Sequence, residues 1–193
     1  VMPSKSAQPV DVKVTFKLDD GEKDCPSEMF TDVDQDKWYH EGVDYAIKNG
    51  LMNGTGADTF APDATTTRAM VVTILYRLDG EPAVTKDIPF ADVPAGQWYS
   101  NAINWAAANG IVDGYGNGKF GPDDTITREQ MAAILYRYAS YKGYSVSDLA
   151  NLTGYTDAAS VSEWASTAMR WAVAEGLIEG TSATTLSPSG DAA

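Results

Sequence analysis

Apolar residues recur at helical spacing in five stretches of this chain, and the stretches follow an order that repeats. Val43, Ala46 and Ile47 share one face of a segment predicted helical over Trp38–Asn49, with Gly50 as its C-terminal stop. Val71, Ile74, Leu75 and Leu78 form the stripe of a second helix that opens at Thr67, a good N-cap. The same pair returns as Trp98–Asn109 and as the stripe Met131, Ile134, Leu135 and Tyr138 behind Thr127, where Thr127 and Gln130 have capping-box spacing. A fifth segment, Trp164–Glu175, matches the first helix again. Between paired helices, glycine-rich turns lead to a short extended piece around Phe60 or Phe120. Only residues 11–18 alternate with period two, Val12, Val14, Phe16 and Leu18 against Asp11, Lys13, Thr15 and Lys17, which predicts one half-buried strand. A single strand is not stable alone in water, so this arm is expected to belong to a missing upstream domain or to pack on the helices. Turn chemistry follows it over Asp19–Pro26.

The repeated order is internal duplication. Phe30–Leu78 aligns with Phe90–Tyr138 without a gap, with 20 identities in 49 positions. They include Phe30/Phe90, Asp32/Asp92, Trp38/Trp98, Gly50/Gly110, Gly54/Gly114, Phe60/Phe120, Pro62/Pro122, Thr67/Thr127 and Arg68/Arg128, and the run ILYR recurs at Ile74–Arg77 and Ile134–Arg137. A more divergent third copy keeps Tyr155, Asp157, Trp164, Gly176, Gly180, Leu186 and Pro188, with one extra residue before the tryptophan, and ends before its Thr-Arg. The organisation read from this is an arm and linker at 1–29, repeats at 30–89 and 90–154, and an incomplete third repeat at 155–193. One helix pair is too small to bury its own apolar face, so neighbouring copies are expected to complete each other's core.

Charge and composition narrow the function. The net charge of −13 and pI near 4.3 argue against general nucleic-acid binding and against an anionic membrane surface. No apolar run approaches the ~18 residues that span a bilayer, so no membrane insertion is expected. The chain begins at Val1 without a signal-like leader and reads as an excised piece of a longer protein. Cys25 is the only cysteine, which leaves no disulfide framework and no thiolate zinc site. His40 is the only histidine, no G-x-S-x-G elbow occurs, and nothing in the sequence pairs Cys25 with a base. The fragment therefore reads as non-catalytic, with no cofactor and no metal ligands. Asp32, Asp34 and Asp36 imitate the start of a calcium loop, but Lys37 stands where glycine is needed and Val43 where the bidentate glutamate belongs.

The combined pattern F-x-D-V, W-Y, N-G, F-x-P-D and T-R resembles the S-layer homology (SLH) repeat of bacterial cell-surface proteins, over residues 30–193. The resemblance implies a mainly α fold of three helix-loop-helix repeats in a pseudo-threefold arrangement, here with the third truncated. It implies a non-catalytic anchor that holds its parent protein to the cell wall or S-layer of a Gram-positive-type bacterium, outside the cell. The partner would be a cell-wall polysaccharide: a secondary polymer carrying pyruvylated amino sugars, bound in grooves between repeats. The competing reading is a protein-interaction or surface-lattice assembly module.

Candidate ligand residues follow from that chemistry. Arg68 and Arg128 sit just after the N-caps of their helices, where unpaired backbone N–H groups and the helix dipole favour an anion and a guanidinium fork matches a carboxylate. Trp38, Trp98 and Trp164 offer flat walls for a pyranose ring, or pack the repeats together. Gly54, Gly114 and Gly180 permit close approach of the main chain. Asp32, Asp92 and Asp157 contact sugar, pair with the arginines, or fix the loops. The fourth position of the second-helix motif departs from the family pattern in copy one, where Met70 stands, and copy three lacks the arginine altogether.

Overall fold

The computed structural model describes residues 25–84, 86–87 and 89–192; the predicted strand at 11–18 lies outside them. Five α-helices carry the fold among the described residues: α1 His40–Lys48, α2 Arg68–Leu78, α3 Ser100–Ala108, α4 Arg128–Tyr141 and α5 Ser166–Ala174. Short 3-10 turns at Pro26–Met29, Ala158–Ser160 and Glu163–Ala165 precede α1 and α5. Extended pairing among the described residues is limited to isolated bridges, so this part of the chain is mainly helical.

The caps follow the sequence. Thr67 Oγ1 accepts the Met70 amide, and at Thr127 both halves of the capping box form with Gln130. The first helices end at Gly50, Gly110 and Gly176, all with φ between 66° and 69°. There the left-handed turn lets the next amide reach back into the last helical turn, as in Leu51 N to Ala46 O.

Packing runs between copies. The second helix of copy one, α2, lies on the first helix of copy two, α3, and α4 of copy two lies on α5 of copy three. Ala69, Val72 and Leu75 meet Ile103, Ala106 and Trp105 in one core; Ala132 and Ala139 meet Met169, Ala172 and Trp171 in another. Phe120, Ile103, Ile111, Ile126, Met169 and Leu186 are the large residues with almost no exposure. Among the described helical elements α1 packs only on the turn Pro26–Met29, and its apolar face joins a small cluster of Phe30, Val43 and the loop residue Phe60.

Three equivalent backbone positions meet where the loops enter the second helices. Thr66 N donates to Ala192 O, Ala192 N to Ile126 O, and Ile126 N to Thr66 O, each at 2.9 Å. Every copy donates to one neighbour and accepts from the other, which closes a ring.

Candidate functional site

Each repeat holds its loop by a carboxylate. Asp32 accepts the amides of Phe60 and Ala61 at 2.8 and 2.7 Å, and Asp92 those of Phe120 and Gly121, both at 2.8 Å. Asp157 does the same for Leu186 and Ser187. These aspartates are committed to loop amides, not to the arginines. The Phe60 amide, foremost, holds the Asp32 carboxyl below its ordinary value, and the Leu186 amide does so for Asp157; at Asp92 burial opposes ionisation but the two amides outweigh it. A depressed folded-state value means that the stabilisation is present above the ordinary aspartate range, about 4, and is lost as pH falls through the lowered values. The denaturant midpoint is therefore expected to stay flat from neutral pH down to about 5 and to fall below about 4; in Asp92→Asn that acid-side slope should be shallower.

The arginines reach across copies. Arg68 leaves α2 of copy one and donates from Nε to Phe120 O at 2.9 Å and from Nη2 to Asp113 O at 3.3 Å, both in the loop of copy two. Its guanidinium lies 4.7 Å from the centroids of both the Tyr115 and Phe120 rings. Tyr115 is fixed in turn by donating from its hydroxyl to Asp124 at 2.9 Å. Arg128 repeats the arrangement one copy on, with Leu186 O at 2.8 Å and Glu179 O. Arg68 is only 5% exposed, and burial pushes its guanidinium pKa down, although arginine starts high enough to stay charged. No carboxylate among the described residues forms an ion pair with it.

The expectation of free amides at the helix mouths is corrected. The first amides of α2 donate to Asp124 O and Pro122 O, and those of α4 to Gly190 O and Pro188 O, while the next in each helix goes to its threonine cap. The next copy's carbonyls have taken the donors that an anion would use, so any anion site here depends on side chains.

The tryptophans do not pack the repeats. Trp38, Trp98 and Trp164 are 90%, 56% and 58% exposed, and the core positions fall to Tyr99, Trp105 and Trp171. Trp38 and Trp98 stand edge-on to the tyrosines that follow them. Trp164 stands on the 3-10 turn that packs against α4. Glu129, itself buried, anchors that turn by accepting the amide and hydroxyl of Ser162, both at 2.9 Å.

These pieces enclose a groove of about 370 Å³. Arg68 from copy one, Asp113, Gly114 and Tyr115 from the loop of copy two, Gln130, Ala133 and Arg137 from α4, and Trp164 from copy three all line it. Arg137 pairs with Asp113 at 3.2 Å on the exposed rim. The volume lies within the range of small-ligand sites, and the lining combines an aromatic wall with two cations and few carboxylates. Gly114 is forced by packing: a Cβ there would run into Lys119 O and come within 2.6 Å of the Phe90 ring. Gly54 and Gly180 meet Phe30 and Tyr155 in the same way and do not line this groove. Of the sequence-derived candidates, Arg68, Gly114 and Trp164 come together here. Tyr115, Gln130, Arg137 and the anchoring Glu129 were not singled out as ligand or site residues, although Glu129 stands where copy one has Ala69, a departure that marked the position.

Tandem repeats that share their cores and leave a groove between copies make a repeat-built helical module. Comparison with protein-family models matches residues 30–69, 89–132 and 154–192 to the S-layer homology domain, more than half of the chain, and the chain belongs to this family. Domains of this family are cell-surface anchoring modules and are non-catalytic by themselves. Similar proteins include an endoglucanase of Bacillus sp. (strain KSM-635), 36% identical over 78% of this chain and 16% of that protein. An amylopullulanase of Thermoanaerobacterium thermosulfurigenes is 31% identical over 84% of the chain and 9% of its own length. The surface-layer 125 kDa protein of Lysinibacillus sphaericus is 32% identical over 74% and 12%. The chain thus spans a small fraction of these much longer relatives, which include surface proteins and enzymes.

Proposed function

We propose that this chain anchors a longer extracellular protein to a Gram-positive-type cell wall by binding an acidic secondary wall polysaccharide, a pyruvylated amino-sugar polymer, in the grooves between pseudo-threefold repeats. The closed ring of backbone bonds at Thr66, Ile126 and Ala192 supports the threefold arrangement. The observation that carries the ligand reading is the groove itself, where the buried guanidinium of Arg68 has no carboxylate ion partner among the described residues and shares the lining with the exposed indole of Trp164. A carboxylate on a sugar answers both: the charge meets the unpaired guanidinium and Arg137, and the ring lies on the indole. The overall charge of −13 does not prevent this, because charges beyond ~8 Å are screened at physiological salt.

The two exposed tryptophans that differ in location separate this reading from a nonspecific sticky surface. Trp164→Ala should weaken binding to purified walls by roughly 5–150-fold, as expected for loss of a stacking platform of about 1–3 kcal/mol. Trp38→Ala, which removes a more exposed indole outside this groove, should leave the affinity within about twofold. Equal losses in both variants would speak for nonspecific aromatic adhesion or lattice assembly instead.

A further inference from the structure

Away from the groove, the side chains of Cys25, His40 and Asp44 bring three metal-ligating atoms to one point. Cys25 Sγ lies 3.2 Å from His40 Nε2, His40 Nε2 lies 3.2 Å from Asp44 Oδ2, and Cys25 Sγ lies 3.8 Å from Asp44 Oδ1. The sequence reading that nothing pairs Cys25 with a base is therefore corrected. Yet the arrangement is not that of a cysteine nucleophile with its histidine and orienting acid. In that relay the carboxylate holds the ring nitrogen opposite the one that faces sulfur. Here thiol and carboxylate both crowd the same nitrogen, which has one lone pair or one proton to offer.

We propose that Cys25, His40 and Asp44 form a binding site for Zn²⁺ or a similar borderline-soft divalent ion. Bonds of about 2.3 Å to sulfur and about 2.0–2.1 Å to nitrogen and oxygen place tetrahedral ligand atoms about 3.3–3.6 Å apart. His40 Nε2 lies 3.2 Å from both Cys25 Sγ and Asp44 Oδ2, and one ligand atom from each of the three residues lies within 4.8 Å of the others. His40 and Asp44 are four residues apart on α1, so the helix presents both on one face. The Ser27 amide donates to Asp44 Oδ1 at 2.9 Å and orients the carboxylate, as a supporting hydrogen bond does around bound metals. All three residues are partly buried, so solvent reaches the site and a water can fill the fourth coordination position. The site is peculiar to copy one, because Ser100 and Ser166 stand where His40 does and the chain has no other cysteine or histidine. Its ligands come from α1 and from the chain just before the turn Pro26–Met29, the one helical element that packs on that helix among the described residues. A bound ion would clip the segment preceding the repeats onto the first repeat. Binding releases the Cys25 thiol proton to solvent and forms the thiolate–metal bond, with no change of oxidation state.

The test is cobalt titration of the full chain, metal-free and kept reduced by a non-thiol reagent. A thiolate-to-cobalt charge-transfer band should grow to a single equivalent and be bleached by Zn²⁺. Cys25→Ser should lose the band, and His40→Ala and Asp44→Asn should each weaken cobalt binding by more than about tenfold. Zn²⁺ should raise the Tm of the parent chain and leave that of Cys25→Ser unmoved. Circular dichroism on the near-isosteric Cys25→Ser and Asp44→Asn variants separates loss of the site from loss of the fold. Absence of the charge-transfer band at saturating cobalt, or a band equally strong in His40→Ala and in folded Asp44→Asn, overturns the site.

Discussion

Arg68→Ala is expected to lower the Tm by roughly 10 °C and to abolish measurable wall binding together. The side chain makes two charge-assisted hydrogen bonds to Phe120 O and Asp113 O, buried between two aromatic rings. Removing it leaves those carbonyls without their donor and the loop of copy two without its tie to α2. Losses of this kind come to about 3–4 kcal/mol. At about 2–4 °C per kcal/mol for a domain of this size, that is the Tm shift given. Arg68→Lys keeps the charge but not the fork, so it can satisfy one carbonyl at most and should fall between the two. Thermal unfolding of both variants checks this. A Tm unchanged in Arg68→Ala, with binding alone reduced, would contradict the cross-copy tie and make Arg68 a ligand contact only.

The double role has a physical logic. A guanidinium that must already be in place to hold the Asp113–Phe120 loop presents its remaining donors to the groove without further ordering cost. Preorganisation of this sort raises affinity by reducing what is lost on binding. It also puts the proposed binding site at the seam between copies, where neither repeat alone would have it.

Much of this fold was legible because its signals are local. Thr67 and Thr127 cap where the sequence says they should, since the hydroxyl and the amide it satisfies are three residues apart. The first helices fall within two residues of their predicted ends, each stopped by its glycine. Asp32, Asp92 and Asp157 recur because every copy must satisfy the same loop amides. Packing between copies followed from the small size of each helix pair. What was not legible is where long side chains and helix-mouth amides go once copies meet. The partners of Arg68 lie 45 and 52 residues away and are carbonyls, which every residue has, so no residue type marks them. The helix-mouth amides look free in one repeat and are consumed by the next. Trp164 differs from Trp38 and Trp98 in sharing the Arg68 groove, on a turn anchored by Glu129 through Ser162. The Cys25 cluster was hidden by the 15-position separation of thiol and imidazole, although the i, i+4 spacing of His40 and Asp44 was there to read.

The second large effect concerns the ligand. If an acidic wall polymer fills the groove, then almost all attachment to walls should depend on that polymer and on its carboxylates. Neither the peptidoglycan mesh nor contacts between copies of the chain should substitute for it. Binding should also weaken as salt rises, since part of it is charge pairing with Arg68 and Arg137 at a solvent-accessible groove. A soluble pyruvylated disaccharide should compete for the same site, and its non-pyruvylated counterpart should compete far less, because the Arg68 fork is matched to a carboxylate.

The most direct measurement is co-sedimentation of the chain with purified cell walls before and after chemical removal of the secondary polymer. The expected result is near-complete pelleting with intact walls and near-complete loss once the polymer is gone. Pelleting that survives polymer removal would contradict the anchoring account and favour assembly through protein contacts.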